Sequence, residues 1–272
     1  MSTPCRIDHD IHVHTFLSSC SKDPDAVPEK MLEAAAVNGL RTVGFADHLW
    51  DAGVPGASDW YRPQDMQHIA RIRAQLPADT RGVRVLLGCE TEYIGNGTVG
   101  ISPTAAAQLD FVLVPHSHFH MEGFVRPATV QQPDEIAALM QQRFAEAIEL
   151  EVTTGIAHPF LPCTQREHTD EIIQAIPDSA FSDLFGRAAE RGVSIEITAG
   201  AFPSLGSGET GGWHDSTFMR MYRLAAAAGC VFHCASDTHN LQGMGRTRRL
   251  QPFVDELGLT QEQFHPLVRQ TG

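Results

Sequence analysis

DIHVHT, Asp10 to Thr15, puts two imidazoles on one side of a strand-like stretch. Side chains alternate along an extended chain, so His12 and His14 project the same way and can grip one ion. Working outward, apolar runs alternate with amphipathic ones. Strands are predicted at CRIDHDIHV (5–13), LRTVGFA (40–46), GVRVLLGCE (82–90), DFVLVP (110–115), TGIAH (154–158), VSIEITA (193–199) and CVFHCAS (230–236). Helices are predicted at PEKMLEAAAVNG (28–39), RPQDMQHIARIRAQL (62–76), SPTAAAQL (102–109), PDEIAALMQQRFAEAIELE (133–151), DSAFSDLFGRAAERG (178–192), DSTFMRMYRLAAAAG (215–229), TRRLQPFVDELG (247–258) and TQEQFHPLVRQ (260–270). Such alternation favours a parallel sheet with helices packed outside it. Period alone does not separate a closed barrel from an open, doubly wound sheet. The polar residues do.

After the first strand stand His12 and His14, and after the second Asp47 and His48. Glu90 ends the third, and His116 and His118 follow the fourth. The fifth runs into His158, the sixth carries Glu196, and the seventh ends at Asp237 and His239. In a closed parallel barrel those ends converge on one face, where barrel enzymes keep their chemistry. Imidazoles and carboxylates are a ligand set for zinc, manganese or iron. Divalent ions would also neutralise acids that otherwise repel one another in a shared cavity. The expected fold is therefore a parallel α/β barrel, TIM-barrel-like, over residues 1–272 as one domain.

Composition agrees. The chain has 272 residues, 42% hydrophobic, enough for one barrel. A net charge of −13 argues against polynucleotide or an anionic membrane as partner. No apolar run is long enough to span a bilayer, and MSTPCRIDHD lacks the features of a signal peptide, so a cytoplasmic protein is expected. The six cysteines, Cys5, Cys20, Cys89, Cys163, Cys230 and Cys234, show no framework spacing and read as reduced thiols, mostly core.

The motifs HVH, ADH at Asp47-His48, GCE at Glu90, the fourth-strand histidine, GIAHP at His158 and SDTH at Asp237 to His239 resemble, in order and over essentially the whole chain, the PHP family of polymerase and histidinol phosphatase domains. The resemblance implies a distorted seven-stranded (β/α) barrel with two or three divalent metals at its C-terminal face. It implies His12, His14, Glu90 and Asp237 as ligands of a first metal. Glu90 would bridge to a second with a fourth-strand histidine and His158, and His48 and His239 would hold a third. Both His116 and His118 fit the fourth-strand motif, and His116 is favoured. Cys20 stands where the family often has a His or Asp, and a thiolate there can bind zinc or iron.

Paired divalent ions suit attack by a metal-bridging hydroxide on a small phosphomonoester, with histidinol phosphate a plausible substrate. Glu90, Asp237 and His239 are the catalytic candidates, the last two for the proton. Arg126, Arg62 and Arg246 follow strands and are candidates to hold the phosphate, and His120 is a candidate substrate contact. Three other readings are carried: a cyclic phosphodiesterase or nucleotide-end phosphoesterase, an amidohydrolase-like enzyme cutting C–N or C–O bonds, and a non-catalytic metal-binding domain. Asp47 is expected to orient a histidine, as outer carboxylates do. His233 reads as a hydrogen-bonded core imidazole and His9 as structural. HFHMEGFVRP (118–127) and AFPSLGSGETGGWHDS (201–216) have the aromatic and glycine content of a cap over a small polar molecule.

Overall fold

The structure is a computed structural model and describes residues 5–199 and 216–269. Its strands are β1 (His9–Val13), β2 (Thr42–Phe45), β3 (His48–Leu49), β4 (Arg84–Thr91), β5 (Tyr93–Gly95), β6 (Thr98–Val99), β7 (Phe111–Pro115), β8 (Gly155–Ala157), β9 (Ser194–Thr198) and β10 (Phe232–Ala235). Seven of them form one parallel sheet in the order β1-β2-β4-β7-β8-β9-β10, and β3 pairs with the far end of β4. The last strand returns to the first. His14 N–H donates to Thr238 O at 2.9 Å and Asp237 N–H to His12 O at 3.0 Å, so the barrel is nearly closed. All seven predicted strands are present.

The α-helices are α1 (Pro28–Val37), α2 (Met66–Ala74), α3 (Pro103–Ala106), α4 (Pro133–Ala147), α5 (Thr169–Gln174), α6 (Asp178–Arg191), α7 (Thr217–Ala227) and α8 (Gln251–Glu256). Their starts follow local chemistry. Proline stands at the first turn of α1, α3 and α4, where a missing N–H costs nothing. Ser216 caps α7 through Met219 N–H, and Gly192 ends α6 in the left-handed region. No helix among the described residues is long and apolar enough to cross a membrane.

One predicted helix is absent. Its described residues, 260–269, hold two short 3-10 turns, Gln261–Gln263 and Pro266–Val268. Pro266 lacks an N–H and forces His265 out of the helical region, to ψ 140°. Helix α5 and the β5–β6 hairpin were not expected. The segment 201–215, expected to serve as part of a cap, lies outside the described residues.

Strand register decides which side chains enter the barrel. Glu90 pairs with Leu113, Leu113 with Gly155, Gly155 with Ser194, and Glu196 with His233. Partners in a parallel ladder share a face, so this ring points inward together with Gly88 and Phe111. Glycine at 88 and 155 is a packing requirement: a Cβ at Gly88 would stand 2.5 Å from the Phe111 ring, and one at Gly155 2.5 Å from Ser194 Oγ. On β1 the register slips, with Asp10 opposite Val43 but Val13 opposite Phe45. The extra residue changes which side chains face inward, as bulges do, and aims His12 and His14 into the barrel mouth.

Candidate metal centre

Glu90 is the hub. Its Oε2 lies 3.3 Å from His12 Nε2, 3.4 Å from His14 Nε2 and 3.2 Å from His48 Nδ1. Its Oε1 lies 3.0 Å from His158 Nε2 and 3.5 Å from His118 Nε2. Asp237 Oδ1 closes the first side, 3.2 Å from His14 Nε2 and 3.6 Å from His12 Nε2. The residues come from β1, the start of β3, the end of β4 and the segments after β7, β8 and β10, all at one end of the barrel. His239 stacks on His14 with centroids 4.2 Å apart. Ligand-type atoms lie within 4.8 Å of one another in three groups: His12, His14 and Glu90; His14, Cys20, His48 and His239; and His118, His158 and Cys163.

The donor chemistry fits divalent ions. His12 Nδ1 meets Glu196 Oε2 at 2.7 Å, and His118 Nδ1 meets Glu92 Oε2 at 2.7 Å. His14 Nδ1 lies 3.1 Å from Ser18 Oγ, whose hydroxyl donates to Asp47 at 2.8 Å. Each ring thereby spends its Nδ1–H on an outer acceptor and turns the Nε2 lone pair inward, the usual arrangement behind a metal-binding histidine. The lone pairs then meet. His12 and His14 Nε2 are 3.1 Å apart, and His118 and His158 Nε2 are 3.0 Å apart. A cation between each pair would satisfy both nitrogens.

The titration behaviour carries the same message. Burial alone would lower the His12 imidazole, but Glu196, Glu90 and Asp237 outweigh it and hold it well above its ordinary value. Burial opposes the rise at His14 and His118 too, yet hydrogen bonds donated to Asp237 and Glu90 lift the first to about 9, and the charges of Glu92 and Glu90 lift the second to about 9. Glu90 moves the opposite way: burial would raise it, and His12, His48 and His118 draw it well below the usual carboxylate range. Without metal, protons must supply the positive charge these carboxylates demand.

Backbone strain collects here. His158, Phe160, Cys163 and Gln165 all have positive φ, between 28° and 58°, as does Asp237 at 53°. Each non-glycine residue so held costs on the order of 1–3 kcal/mol, and such residues cluster at functional sites.

Of the fourth-strand pair, the structure brings His118 to the cluster and not the favoured His116. Register explains it. Leu113 and Pro115 share the inward face of β7, so His116 continues the outward face. Its ring packs edge-on against Phe144 of α4 and Phe160, and its Nε2 accepts Phe160 N–H at 3.3 Å. The chain leaves the strand after Pro115, which frees His118 to turn over the rim.

The arginine candidates also need correction. Arg126 is buried, donating to the carbonyls of Phe119 and Val130 and pairing with Glu122, so it fixes its own loop. Arg62 is exposed and pairs with Asp59 at 3.0 Å. Arg246 is exposed on the 3-10 turn after the seventh strand motif. None lines the cavity beside the cluster. Arg166 does, from the connection between β8 and α5. That cavity measures about 760 Å³. Its metal-side wall includes Cys20, His48, Glu90, His158, Asp237 and His239, and its outer wall Trp60, Tyr61, His120, Met121, Phe124 and Leu161. His120 is thus a cavity residue; burial, then His118 and His158, lowers it to about 4.

Asp47 sits where expected, accepting Thr15 N–H at 2.6 Å and Ser18 Oγ–H. Asp10 instead accepts backbone N–H groups of His12 and Ser236. His233 Nδ1 meets Ser194 Oγ at 2.9 Å, and His9 Nε2 accepts Cys234 N–H at 2.9 Å, so both are core imidazoles. Sequence reasoning missed Arg166 and Cys163, and gave no hint that Tyr61 would donate to Glu92 at 2.9 Å.

No protein-family model and no curated protein matches the chain. Solved structures do. Histidinol phosphate phosphatase from Lactococcus lactis subsp. lactis, complexed with zinc, L-histidinol and phosphate, aligns over 91% of this chain and 93% of its own with TM-score 0.53 and 14% identity. The metal-dependent tyrosine phosphatase structures of YwqE from Bacillus subtilis and CpsB from Streptococcus pneumoniae give TM-score 0.45, 19% identity and coverage of 91% and 86%. D-hydantoinase from Bacillus sp. AR9 gives TM-score 0.39 and 11% identity, over 84% of this chain and 46% of its own. The chain therefore shares its α/β barrel fold with a histidinol phosphate phosphatase.

Proposed function

We propose that the chain is a metal-dependent phosphatase acting on a small phosphomonoester. The observation that carries this reading is Glu90, one carboxylate with an imidazole group against each oxygen. Such a carboxylate suits a bridge between two ions. His12, His14 and Asp237 would complete one position, and His118 and His158 the other; Cys20, His48 and His239 would hold a third. Zinc, manganese or iron held there would acidify a bound water and offset charge on the phosphoryl oxygens.

The remaining roles belong to the chain. Arg166 offers the cavity a guanidinium, the group suited to bidentate recognition of phosphate. His239, stacked on His14 and lining the cavity, has its Nδ1 held by Asp237 O at 3.0 Å, so its Nε2 would serve the third ion and not proton exchange with the leaving oxygen. Trp60, Met121, Phe124 and Leu161 would exclude water and seat the leaving group, with His120 beside them. Histidinol phosphate heads the substrates to try, because a similarly folded phosphatase holds L-histidinol and phosphate with zinc.

The test is metal analysis of the purified chain, followed by phosphate release from a panel of phosphomonoesters with zinc, manganese or iron added. Turnover of at least one ester, lost on chelation, is expected. Protein carrying two or more ions that hydrolyses none would refute the reading.

A further inference from the structure

The six thiols of the chain are all free, and they divide sharply. Cys5, Cys89, Cys230 and Cys234 are buried and belong to no ligand-type group among the described residues. Cys20 and Cys163 both line the cavity, each within a group of imidazoles. Cys20 Sγ lies within 4.8 Å of ligand atoms of His14, His48 and His239; Cys163 Sγ lies equally close to those of His118 and His158. The two imidazole groups contact opposite oxygens of Glu90, His14 and His48 on Oε2, His118 and His158 on Oε1. The cluster thus has a carboxylate at its centre and one thiol with each flanking group.

We propose that Cys163 is a metal ligand, completing with His118 and His158 a thiolate-bearing position that mirrors Cys20 with His14, His48 and His239. The inference rests on the metal reading above and deepens it. His118 and His158 bring two imidazoles and share Glu90 Oε1; a sulfur from Cys163 would supply a fourth donor, the number zinc commonly takes. Sulfur on both flanks selects thiophilic ions. Zinc or ferrous iron would be held in preference to manganese or magnesium, which favour oxygen ligands. The same ligation explains why a thiol should stand in a phosphatase pocket without acting as its nucleophile.

Cobalt(II) titrated into the metal-free full chain provides the test, with bound cobalt counted by elemental mass spectrometry. Thiolate-to-cobalt charge transfer should appear in the near ultraviolet. At matched cobalt content, Cys163→Ser should lose about half of that intensity, Cys20→Ser the other half, and the double variant all of it. A Cys163→Ser protein that binds full cobalt and keeps the whole band overturns the proposal and leaves the metal reading standing. A chain that binds no cobalt or zinc overturns both. Should Cys163→Ser fail to fold, the unaltered chain decides: zinc should protect Cys163 from alkylation in peptide mass maps, and equal labelling with and without zinc overturns the proposal.

Discussion

Two pairs of histidines in this chain have the same spelling and different surroundings. His12-Val13-His14 sends both rings into the barrel mouth, with their Nε2 atoms 3.1 Å apart. His116-Ser117-His118 sends one ring in and packs the other between Phe144 and Phe160. The electrostatic consequences diverge. His12 lies among carboxylates that hold it well above its ordinary pKa against the pull of burial. Burial dominates at His116, then His158 and His118, and it is held well below. The two rings of an H-x-H pair therefore point the same way only while the backbone stays extended through both residues. His14 N–H still donates across the seam to Thr238, whereas β7 has ended at Pro115.

The largest effect should come from removing what the two groups share. Glu90→Ala takes the acceptor from both sides at once. Bound metal, read by elemental mass spectrometry, should fall on both sides of the cluster. Phosphatase activity should drop by more than the roughly 100-fold that loss of an outer partner costs. Retained activity would show that the two imidazole groups do not act through one carboxylate.

The pair itself is broken next. His118→Ala should lose metal and activity together. His116→Ala should keep its metal content and lose stability instead, by about 3 kcal/mol, because truncation opens a cavity against two aromatic rings and strands the Phe160 N–H. In a chain of this size that is a fall in Tm of about 5–10 °C by calorimetry. The opposite pattern, metal lost with His116 and kept with His118, would reverse the assignment.

A smaller change should follow from the outer carboxylates. Glu196→Gln and Glu92→Gln keep an oxygen for the Nδ1–H of His12 and His118 but remove the charge. Metal affinity should weaken by about tenfold in each, nearer 100-fold in the alanine variants. Zinc titration against a competing chelator measures it. An unchanged affinity in Glu92→Gln alone would mean that His118 needs no charged support and that the two sides differ in kind.

These contrasts also show what the sequence makes legible. All seven barrel strands follow from apolar runs, and the strand-end rule finds His12, His14, His48, Glu90, His158, Asp237 and His239 because barrel topology gathers such ends whatever the local detail. The choice between His116 and His118 depends on the register of β7 against β4, which is a relation between two segments and is written in neither. The slip between Asp10 and Val13 is hidden for the same reason. Arg166 obeys the strand-end rule, but it comes eight residues after His158, past a run of left-handed residues that carry it back to the cavity. The helical period of 260–270 was real enough to suggest a helix, and Pro266 was the signal against it.

The mildest test extends the contrast to an imidazole on the same strand as His12. His9 accepts Cys234 N–H at 2.9 Å and packs edge-on against Phe264. Burial, then the neighbouring His233, lowers its pKa from 6.5 to about 3, so it folds neutral as His116 does. The sign follows from linkage. A histidine whose folded pKa is depressed binds its proton more readily in the unfolded chain, so its contribution to stability is present above about pH 6.5 and is lost as pH falls toward 3. His9→Gln keeps an acceptor for Cys234 and removes the titration. Metal-free wild type should lose more stability between pH 7 and pH 5 than the variant does, by about 2 kcal/mol in urea titrations. Identical losses would mean that His9 takes up its proton without unfolding the chain, and that burial without a carboxylate partner is not enough to keep these imidazoles neutral.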